Sequence, residues 1–211
     1  MRAARSRVGQ LNAMDPAKTA ILLIEYQNDF TAEGGKLHDG VKGVMESTGM
    51  LSNTSSLVEK AREKGCTIVH APIVFSDDYK ELGDDVYGIL AGVKEGGCFK
   101  ASEWGGEICA ELTPKDGDQV VQGKRGLDGF ASTNLDFILR RSSIENVVLG
   151  GFLTNCCVES TMRTAYEKGY NVVTLTDCCA ALSEEEHKAS VEKTYPMFSK
   201  PMTSSELLEE L

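Results

Sequence analysis

Ala20-Ile21-Leu22-Leu23-Ile24 is apolar at every position. A strand without polar alternation has both faces buried, and such strands belong to parallel sheets covered by helices on both sides. Comparable runs recur at Thr67 to Ala71 (closed by Pro72), Asp118 to Val121, Asn146 to Leu149 and Asn171 to Leu175. Helix-period segments separate them. Val44 to Lys64 reads as one helix, with Met50, Leu51, Leu57, Val58 and Ala61 near one face and Lys64-Gly65 as its stop. Thr133 is expected to start another, with Asp136 as its capping-box partner and Leu135, Ile138 and Leu139 as its stripe. Glu159 to Lys168 carries Val158, Met162, Ala165 and Tyr166 in helical register and ends at Gly169. Ser183 and Glu186 suggest a capped helix reaching about Thr194, Pro196 to Ser199 a last strand, and Ser204 to Leu211 a short helix. Alternating strands and helices imply right-handed crossovers and one α/β domain, a mainly parallel sheet with helices on both faces.

The N-terminal segment, with Arg2, Arg5 and Arg7, has no apolar stretch of the kind a secretory signal needs. Residues 1–15 are expected to be a flexible extension, ahead of a domain spanning 16–211. Lys and Arg number 22 against 32 Asp and Glu, so the net charge is 22 − 32 = −10. An acidic surface argues against nucleic acid and anionic membranes as partners, and no apolar run approaches the roughly 20 residues of a membrane span. The seven cysteines are odd in number and contain no CxxC pair, which fits reduced thiols in a cytoplasmic compartment. His38, His70 and His187 show no ligand spacing, so no metal is expected.

Ligands of doubly wound sheets bind beyond the carboxyl ends of the strands. Three groups of reactive side chains stand at such positions. Glu25-Tyr26-Gln27-Asn28-Asp29-Phe30 follows the first strand, Gly123-Lys124-Arg125-Gly126 the third, and Thr154 to Cys157 the fourth. Carboxylate, ammonium and thiol would meet at one edge of the sheet. Cys157, directly before Val158 and a helix, lies where a helix N-terminus can depress a thiol pKa. The long Gly-rich section 76–117 reads as short helices and loops, an insertion on the substrate side.

These stretches carry a resemblance. Ala20 to Phe30, Gln122-Gly-Lys-Arg-Gly-Leu-Asp-Gly-Phe-Ala131 and Gly151-Phe-Leu-Thr-Asn-Cys-Cys-Val158, with Thr161, Ala165 and Gly169-Tyr170, resemble the isochorismatase-like cysteine hydrolases, over about residues 16 to 205. The resemblance implies a six-stranded, Rossmann-like three-layer α/β/α fold and a triad. In it Cys157 is the nucleophile, Lys124 holds the charge pattern and Glu25 is general base and acid. It also implies an oxyanion hole from the backbone N–H groups of Leu153 and Cys157, a cis bond at Phe152–Leu153, no cofactor, a small-molecule substrate and a homo-oligomer. Tyr26, Phe30, Trp104, Phe152 and Cys156 are the tentative substrate contacts.

Two departures stand out. The family normally has Asp at the Glu25 position, and one methylene moves a carboxylate by about 1 Å, a displacement that matters to catalysis. Asp29 is the other carboxylate at hand and ranks behind Glu25. Nicotinamidase-like members carry a metal-binding Asp and His cluster after the second strand, where this chain has only His70 before Ala-Pro-Ile-Val-Phe-Ser-Asp-Asp78. The expected activity is hydrolysis of a small carboxamide or related C–N bond through a thioester. The alternatives are isochorismate hydrolysis, a vinyl ether cleavage that some relatives perform without the cysteine, and a non-catalytic binding member.

Overall fold

In the computed structural model, residues 14–211 are described. Six strands form one wholly parallel sheet: β1 (Thr19–Ile24), β2 (Thr67–Ala71), β3 (Gln119–Val120), β4 (Asn146–Phe152), β5 (Asn171–Ala180) and β6 (Lys200–Met202). The order across the sheet is β3-β2-β1-β4-β5-β6. The chain winds outward from β1 through β2 and β3, then returns to β4 on the other side. The gap beyond the carboxyl ends of β1 and β4 is therefore the switch point where such folds bind ligands.

Nine helices complete the described chain: α1 (Asn28–Thr31), α2 (His38–Thr48), α3 (Met50–Glu63), α4 (Ile89–Glu95), α5 (Leu135–Arg141), α6 (Glu159–Glu167), α7 (Glu184–Ala189), α8 (Tyr195–Phe198) and α9 (Ser204–Glu210). The unbroken apolar run of β1 serves two cores. Ile21 and Leu23 pack with Val44, Met50 and Leu57 of α2 and α3, whereas Ala20, Leu22 and Ile24 pack with Leu135, Leu139 and Met162 of α5 and α6. Strand side chains alternate between faces, so five consecutive apolar residues satisfy both layers at once.

Several local expectations are corrected. The segment read as one helix over Val44 to Lys64 is two, α2 and α3, because Gly49 adopts a left-handed conformation (φ 65°) and caps α2. Helix α5 begins at Leu135, not Thr133. Thr133 Oγ1 accepts from the Leu135 N–H at 3.1 Å, while Asp136 accepts from the Tyr170 hydroxyl at 3.1 Å and so makes no capping box. Pro196 to Ser199 is not a strand. Pro196 sits in the first turn of α8, where its missing N–H costs nothing, and the last strand is Lys200–Met202. Strands four and five run further than their apolar cores, to Phe152 and Ala180, which takes Cys178 and Cys179 into β5. Most of the expected N-terminal extension lies outside the described residues. Met14 and Asp15, assigned to it, are held: the Met14 N–H donates to the Glu210 carbonyl at 2.8 Å, and Asp15 caps the turn at Pro16–Lys18. Among the described residues, no helix is long and apolar enough to cross a membrane.

The end of β4 approaches β1 most closely at Gly151. Its φ is 140°, and a Cβ there would lie 2.0 Å from the Ile24 carbonyl oxygen. Neither backbone can yield without breaking the ladder that carries the site. Gly151→Ala is expected to lower the unfolding free energy by on the order of 3 kcal/mol or more, or to prevent folding. Urea denaturation followed by circular dichroism measures the loss.

Candidate active site

Glu25 is the first residue beyond β1, and Cys157 lies five residues beyond β4, the neighbouring strand. Both open on one cavity of about 250 Å³, together with Leu153. Lys124, fully buried, stands behind them: its Nζ donates to Glu25 Oε1 and, at 2.7 Å, to the Gly126 carbonyl. Three of the sequence-derived site residues are thus brought together from three strand ends.

The backbone of each is specially held. Glu25 has a left-handed conformation (φ 58°), with its N–H donating to Ala71 and its carbonyl accepting from Gln27 at 2.7 Å. This conformation is uncommon for a residue with a side chain, and residues held in it concentrate at functional sites. The turn that carries Cys157, Thr154–Val158, is a π-helical turn preceding α6, closed by the Leu153 carbonyl, which accepts from the Cys156 and Val158 N–H groups at 3.0 and 3.2 Å. The Phe152–Leu153 peptide bond is cis. Thr161 ties the cysteine turn to the lysine loop. Its hydroxyl donates to the Cys157 carbonyl at 2.7 Å and accepts from the Gly129 N–H at 2.8 Å.

The electrostatics correct one expectation. Hydrogen bonding with Cys156, burial and the Glu25 carboxylate push the Cys157 thiol well above its ordinary pKa, against the pull of Lys124. The direction is opposite to the depression that a helix N-terminus alone would give. Burial alone would lower the Lys124 pKa, but Glu25 and the Cys157 sulfur outweigh it and hold the ammonium above the usual lysine value. The Lys124 ammonium is thus bonded to Glu25 beside the Cys157 sulfur.

Asp29 plays a different part from Glu25. Its carboxylate is buried and accepts from the backbone N–H groups of Phe99 (2.7 Å) and Lys36 (3.2 Å). Gln27 acts likewise, donating to Ile73 and Gly106 carbonyls at 2.8 Å each and accepting from the Ile73 N–H. Asn28 Nδ2 donates to the Trp104 carbonyl at 2.9 Å. The polar residues after β1 thus fasten the 73–107 section onto the sheet edge.

Of the five tentative contact residues, Phe30 reaches the cavity wall; Tyr26, Trp104, Phe152 and Cys156 are not part of it. Tyr26 turns into the α3 side of the core, with its hydroxyl at 2.7 Å from the Cys178 carbonyl and 2.8 Å from Thr54 Oγ1. Phe152 is fully buried and stacks behind Phe30 with ring centroids 4.6 Å apart. Trp104 is half exposed on the outer surface, and Cys156 is partly buried beside Cys157. The rest of the wall was not anticipated residue by residue. Leu37 follows α1, Ile73 follows β2, Leu90 and Val93 come from α4, and Leu127 and Leu182 come from loops. Only the α4 and Phe99 portion falls within the insertion singled out from sequence. A further pair also escaped notice: His187 Nδ1 lies 2.8 Å from the Thr154 hydroxyl, and the Tyr195 hydroxyl donates to the Thr154 carbonyl at 2.9 Å. Both brace the cysteine turn from the far end of the chain, where no local pattern links them. His70 lies not at the cavity but 3.4 Å from Asp118, which Arg62 pairs at 2.9 Å.

The parallel sheet thus carries Glu25, Lys124 and Cys157 beyond the ends of its first, third and fourth strands. The chain belongs to the isochorismatase family: the model of the isochorismatase domain matches residues 19–206. It is 31% identical over 198 residues to an uncharacterized isochorismatase family protein of Bacillus subtilis, covering 94% of this chain and 96% of that one. It is 30% identical over 175 residues to the ureidoacrylate amidohydrolase of Rhizobium rhizogenes, covering 78% and 71% of the two chains. Among solved structures, a cysteine hydrolase from Pseudomonas syringae matches with a TM-score of 0.80 at 23% identity, covering 94% of each chain.

If Glu25 helps to keep Cys157 protonated, removing its charge should lower the thiol pKa. In Glu25→Gln, the pH inflection for alkylation of Cys157 by iodoacetamide is expected to move downward from the wild-type position. Peptide mapping by mass spectrometry follows Cys157 separately from Cys156.

Proposed function

We propose that the chain is a cysteine hydrolase that cleaves a small carboxamide or related C–N bond, with Cys157 as nucleophile, Glu25 as general base and acid, and Lys124 as the cation that holds the charge pattern beside them. The observation that carries this reading is the shared cavity onto which Glu25 and Cys157 both open, with Lys124 bonded to the same carboxylate. The curated relatives named ureidoacrylate amidohydrolase, at about 30% identity, support the reaction class.

Because the thiol pKa is raised, attack must be coupled to proton transfer. As the Cys157 sulfur adds to the substrate carbonyl carbon, its proton passes to the Glu25 carboxylate, which Lys124 orients by its hydrogen bond. The carbonyl oxygen becomes an oxyanion, and the N–H groups of Leu153 and Cys157 are its proposed donors. Collapse breaks the C–N bond, the glutamic acid returns the proton to the departing nitrogen, and the acyl group remains as a thioester. Water, deprotonated by Glu25, then adds to the thioester carbonyl, and the thiol departs with that proton. Each proton taken is returned within the cycle, so no cofactor is required. In this scheme a raised thiol pKa is an asset: the sulfur becomes anionic only when a substrate carbonyl is there to receive it.

The seven free cysteines fit work in a reducing cytoplasm. Exposed Phe137 of α5 and Tyr166 of α6 fit assembly of the chain as a homo-oligomer.

The test is intact-mass analysis during turnover of a carboxamide panel. Acyl addition at Cys157 is the expected result, and its absence in an active enzyme refutes the thioester. Cys157→Ala should lose roughly 10⁴-fold or more in kcat, given what removal of a nucleophile costs other acyl-transfer enzymes. Glu25→Asp should lose about 100-fold, because the shorter side chain withdraws the carboxylate by about 1 Å. An active Glu25→Asp variant would mean that the extra methylene is not part of this site's geometry.

A further inference from the structure

We propose that the site takes an uncharged carboxamide with an apolar acyl part, about the size of a small ring or a branched five-carbon chain, and rejects substrates that carry a carboxylate. This inference rests on the hydrolase reading and concerns what the cavity admits. Apart from Glu25 and Cys157, every side chain on the wall is apolar, Phe30, Leu37, Ile73, Leu90, Val93 and Leu127 among them. A carboxylate brought here would lose its hydration, gain no cation and stand beside the negative charge of Glu25.

The nearby cations are all engaged elsewhere. Lys36 Nζ donates to Glu103 and the Gly97 carbonyl, and Lys94 Nζ to the Gly83 carbonyl at 2.9 Å. Arg125 donates to the Lys124 carbonyl at 3.0 Å and lies 3.5 Å from Glu81. Lys124 has no exposed surface and is occupied by Glu25 and Gly126. Among the described residues, none of these cations belongs to the cavity wall.

The approach reinforces the selection. A surface depression adjoins the cavity, sharing Ile89, Leu90 and Leu127 with it, and its own rim carries Glu81 and Asp85. Arg125 pairs Glu81 and Lys124 pairs Glu25, so an anion would find no unpaired cation there and would meet the Asp85 carboxylate on the rim. The size limit follows from volume. An apolar cavity of about 150 Å³ holds benzene, so about 250 Å³ holds a ring or branched chain together with its carboxamide. The ureidoacrylate named for the relatives bears a carboxylate.

The experiment compares amides matched in shape. In 4-methylpentanamide an isopropyl group stands where succinamate has a carboxylate. The expected kcat/KM ratio is roughly 100-fold or more in favour of 4-methylpentanamide, with benzamide also accepted and ureidoacrylate refused. Leu90→Arg, which adds a cation at the mouth, should shift that ratio toward succinamate by about 10-fold or more. Binding to Cys157→Ala, followed by ligand-observed NMR, separates this inference from the hydrolase reading. Tighter binding of 4-methylpentanamide than of succinamate supports the apolar assignment even where the wild type hydrolyses neither, and that outcome overturns the hydrolase reading alone. Succinamate bound or turned over as well as its isostere overturns the assignment, and so does failure of both to bind.

Discussion

The ion pair between Lys124 and Glu25 is the interaction on which the site depends. Lys124 has no exposed surface and Glu25 retains only 3%. Either charge alone would be costly at that depth, and removing one partner of such a pair typically costs about 3–5 kcal/mol. The pair therefore binds the loop after the edge strand β3 to the end of the central strand β1, across the carboxyl end of β2. It also sets the electrostatics: Glu25 holds the Lys124 pKa up against burial and adds to the rise at the Cys157 thiol, which comes first from the hydrogen bond with Cys156 and from burial. One contact thus serves as a structural clamp and as the proton acceptor of the proposed reaction.

Around that pair the polar residues divide by task. Glu25 faces the cavity, while Gln27, Asn28 and Asp29 spend their side chains on the backbone of the 73–107 section. This division explains why a conspicuously polar stretch lies against an apolar pocket. Its hydrogen-bonding capacity is consumed in fastening a long loop, leaving the apolar side chains of that loop to form the wall. The cysteine turn is braced in the same manner by Thr161 and by the Thr154 contacts to His187 and Tyr195. Reacting groups whose supports are locked in this way keep their geometry when substrate enters.

Much of this was legible in the chain. The apolar runs of β1, β2, β4 and β5 stood out because strands buried on both faces leave no alternation to misread. The positions of Glu25, Lys124 and Cys157 followed from the rule that parallel sheets present function at their carboxyl ends. Legibility failed where a local pattern has two readings. Gly49 inside a helical period can be tolerated or can cap, and only its left-handed backbone decided for a cap. Pro196 suits a strand edge or a helix first turn, and the packing of Tyr195 beneath it selected the helix. Tyr26, Phe152 and Trp104 were aromatic residues near a motif, and nearness in sequence does not say which face a ring takes.

By itself the sequence determined the parallel architecture and the family motifs, and it placed Glu25, Lys124 and Cys157 at strand ends as candidates, because each is encoded within a few consecutive residues. The tertiary structure decided the rest. It decided that Glu25 rather than Asp29 is the carboxylate on the cavity wall, since only the fold commits Asp29 to the Phe99 and Lys36 amides. It decided the direction in which the Cys157 pKa moves, since beside the hydrogen bond with Cys156 that direction depends on burial and on a carboxylate more than 100 residues away in sequence. It also decided the apolar character of the pocket, whose wall is gathered from segments between Phe30 and Leu182. Burial, charge and cavity shape are sums over groups distant along the chain, and no window of local sequence contains those sums.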